Sequence, residues 1–90
     1  MSDDACRIDV WLWRARFFKT RAMAQQFVEE GQVRLTRAEQ ETRLDKPSRT
    51  VRPDDILVFA MGQRVVAIQV LELGQRRGPP PEAQKLYRPV

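Results

Sequence analysis

Apolar residues recur at helical spacing from Ile8 onward. At 100° per residue Trp11, Leu12, Ala15 and Phe18 share one face, and Ile8 just before them can join it. This spacing predicts a helix over about 10–18, with Asp9 as its N-cap. Val10, Trp13 and Phe17 form a second apolar strip bordered by Arg14. Either both strips are buried, or the second is left open, where aromatics beside an arginine can stack on unpaired bases. Thr20 can cap a second helix running to about Glu30, with Met23, Ala24, Phe27 and Val28 on its apolar face. Gly31 is placed to end it. Only a residue or two separates the two patterns, which predicts a tight helical corner.

After Gly31 the period changes. Val33-Arg34-Leu35 alternates as a short strand, and the polar stretch Thr36 to Asp45 reads as a mobile loop. Ser48 to Val51 reads as a second strand and Pro53-Asp54-Asp55 as a turn. Ile56 to Met61 is a third strand, joined through Gly62-Gln63 to a hairpin partner over Arg64 to Leu73. Arg76-Arg77-Gly78 followed by Pro79-Pro80-Pro81 breaks the pattern. Glu82 to Tyr87 can form a helical turn whose Ala83, Leu86 and Tyr87 pack back. No internal repeat is visible.

Ninety residues with 42% hydrophobic and 31% charged content fit one small folded domain without disulfides. The single Cys6 cannot form an internal disulfide, which points to a reducing compartment, the cytoplasm. No stretch approaches the roughly 20 apolar residues of a membrane span, and the acidic start Met1-Ser2-Asp3-Asp4 is unlike a secretory signal. With no histidine and one cysteine, His-based triads and His or Cys metal sites are excluded; no phosphate-binding glycine loop and no marked carboxylate pair occur. Neither an enzyme activity, nor a cofactor, nor a metal is expected.

Charge is unevenly placed. Arg7, Arg14, Arg16, Lys19 and Arg21 face Asp9 alone, and five bases against one acid give +4, the net charge of the whole chain. Lys46, Arg49 and Arg52 form a second cluster. Clustered base in a chain of pI about 10.0 is the footprint of a nucleic-acid binder. The second helix also carries its charges backwards. Lys19 and Arg21 stand at its start and Glu29 and Glu30 at its end, opposite to what the helix dipole favours. Free amides and two bases there would make a phosphate site; the plainer reading is that these side chains extend into water.

Arg7-Ile8-Asp9, Trp11-Leu12-Trp13, Ala15-Arg16-Phe17-Phe18-Lys19-Thr20-Arg21 and Gly31-Gln32-Val33 together resemble the S-four RNA-binding domain, the alpha-L motif. The tryptophans and the Phe-Phe-Lys-Thr-Arg run are most similar to the bacterial heat shock protein 15 group, and Lys46-Pro47-Ser48, Asp55-Ile56-Leu57, Ala83 and Leu86-Tyr87 extend the likeness over about 7–87. The resemblance implies an α+β fold in which the two-helix alpha-L motif packs on a small, mainly antiparallel sheet, followed by a short C-terminal helical turn. It divides the chain into a flexible N-terminus at 1–6, an RNA-binding domain at 7–75 and an extension at 76–90 that packs back. It implies non-enzymatic binding of structured ribosomal RNA on the large ribosomal subunit, in rescue or recycling of stalled translation complexes. Peptidyl-tRNA is a second candidate partner, with no membrane and a monomer as the expected state. Arg7, Arg16, Lys19, Thr20, Arg21 and Lys46 would form the RNA face.

The chain departs from the group in several places. Val10 stands where a lysine is usual, an Asn-Gly turn after the first strand is missing, and Asp54 replaces a turn glycine. Glu39, Glu41 and Asp45 in the longer loop would weaken attraction for RNA nearby. The chain ends at Val90, whereas many relatives continue into a basic tail. Asp9 reads as structural, a cap or the partner of a nearby arginine. Two other functions stay open: a protein-interaction module docking through Trp13, Phe17, Leu86 and Tyr87, and an accessory domain of an RNA-modifying enzyme, which would need a catalytic domain on the same chain.

Overall fold

A computed structural model describes residues 5–90. Of the expected flexible segment 1–6, residues 1–4 lie outside the described residues. Cys6 is buried in a first short strand, β1 (Cys6–Arg7). Helix α1 (Ile8–Arg14) follows at once, then α2 (Arg21–Glu29). The chain continues through β2 (Val33–Arg37), β3 (Gln40–Leu44), β4 (Thr50–Val51), β5 (Ile56–Met61) and β6 (Arg64–Val70). It ends in a short helix α3 (Pro80–Ala83), a 3-10 turn at Gln84–Leu86 and β7 (Tyr87–Pro89). The main sheet has the order β3-β2-β5-β6-β7, antiparallel throughout, and β1 pairs with β4 in a separate two-stranded ribbon. The α+β expectation therefore holds, with two helices against one antiparallel sheet.

The core forms where the apolar stripes of helices and sheet meet. Ile8, Trp11, Leu12, Ala24 and Val28 are fully buried against Val33, Leu57, Phe59 and Val70. Burying the Trp11 ring leaves an N–H to be satisfied, and its Nε1–H donates to the Glu72 carbonyl at 2.9 Å. Phe17 sits with its ring centroid 4.8 Å from Tyr87 and 5.3 Å from Phe59. The second apolar strip of α1 is thus packed on the C-terminal segment. The same holds for Leu86, which is buried, and for Trp13, over which the Arg77 guanidinium lies at 6.0 Å. The four residues proposed to dock a partner protein are engaged with their own chain.

Four local expectations are corrected. Asp9 does not cap α1: Arg7 occupies that position, without a side-chain cap bond, and Asp9 lies buried in the first turn. The helix stops at Arg14, and the link to α2 is six residues, 15–20, rather than one or two. The stop is a Schellman motif. The Phe17 N–H bonds the Leu12 carbonyl at 3.0 Å and the Arg16 N–H bonds that of Trp13 at 3.1 Å, with Arg16 itself left-handed at φ 67°. Arginine stands where glycine is usual, so the sequence hides this ending. Met23, placed on the apolar face of α2, is 50% exposed because the helix buries a narrower stripe centred on Ala24 and Val28.

The largest correction concerns Thr36 to Asp45. It is not a loop: β2 and β3 form a hairpin with a five-pair register, Val33↔Leu44 through Arg37↔Gln40. Its two-residue turn, Ala38-Glu39, has φ of 51° and 66°, the geometry for which Asn-Gly is the usual sequence. Tyr87–Pro89 also pairs as a strand with β6, beyond the helical turn expected there. Other expectations hold. Thr20 Oγ1 accepts the Met23 N–H at 3.1 Å, Gly31 closes α2 at φ 73°, and Asp54 adopts φ 80°.

Candidate nucleic-acid interface

Thr20 is extended, and its side chain takes the Met23 amide. The N–H groups of Arg21 and Ala22 have no acceptor among the described residues. The first turn of α2 contains no acid. Lys19 and Arg21 flank these free amides, exposed and without an ion pair among the described residues. Partial positive charge from the amides and full charge from two bases thus converge, which is the arrangement that holds a phosphate.

The β1–β4 ribbon, which packs on α1, carries further bases. Burial pushes the Cys6 thiol above its ordinary pKa; the charge of Arg14 opposes the rise, Asp9 adds to it, and Arg21 also opposes it. Arg7 neighbours Cys6 and pairs in register with Thr50, so the two side chains share one face. The Ile8 N–H donates to the Arg49 carbonyl at 2.7 Å, and Arg49 closes a turn by donating its N–H to the Lys46 carbonyl at 3.0 Å. Arg7 is thereby brought beside the turn that carries Lys46 and Arg49.

Arg7 is not a free cation. Its Nε and Nη2 donate to both carboxylate oxygens of Asp9 at 3.1 and 2.9 Å; the arginine side chain is 48% exposed and that of Asp9 3%. Asp9 also accepts the Val10 N–H at 2.8 Å. The carboxylate thus holds the arginine in one orientation at the surface, and the structural role read for Asp9 holds as the partner of an arginine. Arg16 is used differently. Its Nε donates to the Gly78 carbonyl at 2.7 Å, tying the helical corner to the C-terminal segment.

Two residues in this neighbourhood were missed from the sequence. Asp55 is buried and accepts from Arg37 through both oxygens at 2.9 and 2.7 Å, and from the Arg52 N–H at 2.8 Å. These bonds raise the Arg37 pKa above its ordinary value, the side-chain hydrogen bond being the main cause. An Asp-Asp turn signals an exposed bend, and nothing local shows that one carboxylate turns inward. Arg37 was missed because its segment read as a loop. Its signal was the continued alternation Val33, Leu35, Arg37.

The S4 domain family model matches residues 6–35, the stretch from β1 through both helices into β2. The chain is thus an S4-domain protein. A heat shock protein 15 homolog of Haemophilus influenzae is 34% identical over 88 residues, covering 98% of this chain and 63% of that one. Heat shock protein 15 of Escherichia coli K12 is 36% identical over 81 residues, covering 90% and 57%. A solved structure of heat shock protein 15 from Vibrio cholerae, described as trimeric, superposes with a TM-score of 0.83 at 36% identity, covering 97% of this chain and 83% of that one. The chain belongs to the heat shock protein 15 family. It spans 63% of the Haemophilus relative and 57% of the Escherichia relative.

Proposed function

We propose that this chain binds structured RNA without catalysis, as a ribosome-associated protein of the bacterial cytoplasm. The observation that carries the reading is the start of α2, where Lys19 and Arg21 flank free amides in a first turn without acid. A helix gains nothing in stability from bases there, whereas a phosphate would be held by amides and cations together. Family membership supports the reading. Arg7, Lys19, Arg21 and Lys46 then contact phosphates, and Thr20 fixes the amides they share. Arg16 contributes through its free guanidinium nitrogens while its Nε stays on Gly78. Such contacts position the protein, and RNA shape supplies the selectivity.

The finer assignment we propose is ribosomal RNA of the large subunit, in rescue or recycling of stalled translation complexes, with peptidyl-tRNA as a second partner. The binding unit in this reading is a single copy. Cosedimentation with purified ribosomal subunits across a salt series tests the reading. Wild type should pellet with the large subunit, release with salt, and lose association in Arg21→Glu. Failure to pellet at low salt would refute it.

A further inference from the structure

The β2–β3 hairpin and the start of β4 line a common cleft. On its inner face Arg37, Gln40 and Thr42 look across a cleft of about 260 Å3 toward Arg49 and Thr50, over the buried side chain of Leu44. The alternation that aims these residues inward turns Glu41 outward, where it pairs with Arg34 at 2.9 Å. Of the three acids expected to repel RNA, Glu41 is thus paired on the opposite face.

The cleft is built rather than incidental. Arg37 is anchored by the buried Asp55, and its Nη2 also reaches the Thr50 carbonyl at 3.4 Å. Its Nη1 keeps both N–H groups without an acceptor among the described residues. A guanidinium already held in place loses little freedom when it binds an oxyanion in the plane of its fork. The Arg37 charge is balanced by Asp55, so long-range attraction falls to Arg49, whose side chain has no hydrogen bond or ion pair among the described residues. The remaining groups, two threonine hydroxyls and one carboxamide, both donate and accept. A phosphate does not need acceptors; a ribose 2′-hydroxyl does.

We propose that this cleft takes one phosphate–ribose unit of an RNA strand, with Arg49 and the Arg37 Nη1 on the phosphate and Gln40, Thr42 and Thr50 around the 2′-hydroxyl. The inference rests on the RNA-binding reading above and deepens it. The hairpin found where a mobile loop was expected extends the RNA face, since Thr50 is the register partner of Arg7. It also gives that face a means of preferring RNA over DNA. The Asp55 carboxylate is a positioning residue, acting through Arg37.

The test is fluorescence anisotropy with a labelled stem–loop from large-subunit ribosomal RNA and its all-deoxy counterpart, across a salt series. The proteins are wild type, Arg21→Glu, Arg49→Glu and Gln40→Ala/Thr42→Val; the last three alter exposed side chains, and circular dichroism confirms their fold. Arg49→Glu should weaken RNA binding roughly tenfold and lower the salt slope by about one. Gln40→Ala/Thr42→Val should weaken RNA binding a few-fold, leave DNA binding unchanged and so narrow the RNA-to-DNA ratio. Loss of binding in Arg21→Glu, with wild-type affinity and ratio in the other two variants, would sink the cleft assignment and leave the RNA-binding reading standing. Absence of RNA binding by wild type at low salt would sink both.

Discussion

Arginines do opposite work at the two ends of α1. At its C-terminal end they turn inward. Arg14 Nη1 donates to the Gly74 carbonyl at 2.9 Å, Arg16 to Gly78 at 2.7 Å, and Arg77 to Trp13 and Phe18 at 3.1 and 3.3 Å. Each guanidinium donates to backbone carbonyls of the helical corner or of the segment 74–78. In the ribbon, which adjoins its N-terminal end, and at the start of α2, the bases turn outward. Lys19, Arg21, Lys46 and Arg49 have no ion pair among the described residues, while Arg7 and Arg37 are clamped to buried carboxylates. Counting positive charge therefore does not find a binding face. The deciding property is whether a cation has already been given a partner, and whether that partner fixes it or consumes it.

Reversing both Lys19 and Arg21 to Glu separates the two roles most sharply. With two charge-assisted contacts at about 1.5–3 kcal/mol each, RNA affinity should fall by at least about a hundredfold. The fold should become slightly more stable, by about 0.5–1 kcal/mol, because acids complement the start of a helix and bases do not. Thermal denaturation alongside anisotropy checks both signs; a variant that loses stability together with affinity would return these residues to the structural class. Arg77→Ala should do the reverse. It removes two part-buried bonds to carbonyls and a stack on Trp13, costing about 2 kcal/mol in denaturant unfolding while the salt slope of RNA binding stays as in wild type.

The smallest effect concerns the hairpin. Ala38→Asn with Glu39→Gly places the preferred residues at two left-handed positions and should raise stability by about 1 kcal/mol. If the hairpin were the mobile loop that its polarity suggests, this change would leave the melting temperature where it is.

The legible parts of the fold were those with a repeating pattern of burial. Trp11, Leu12, Ala24 and Val28 announce their helices, and the run from Ile56 through Gly62 to Val70 announces its hairpin. Two of the missing pieces, the end of α1 and the β2–β3 hairpin, share one cause: a backbone conformation taken up without the residue that usually marks it. Arg16 ends α1 and Ala38-Glu39 turns the β2–β3 hairpin, all at positive φ and none of them glycine or asparagine. For the candidate site, the dipole argument at Thr20 and Arg21 could be made from sequence alone. The clamping of Arg7 by Asp9 could be read only as one of two options, and that of Arg37 by Asp55 joins residues 18 apart through a turn that gave no sign of burial.

The strand β7 bears on how one edge of the sheet is covered. Tyr87–Pro89 covers one side of β6, pairing Ile68 with Pro89 and Val70 with Tyr87. Without it, β6 would present a run of open amides and carbonyls beside apolar side chains, a template for growth by strand addition. The cover is three residues long and carries a proline, which lacks the N–H that a further strand would need. Tyr87–Pro89 thus serves colloidal stability as much as folding: a chain clipped before Tyr87 should aggregate at a lower concentration than one that keeps this strand.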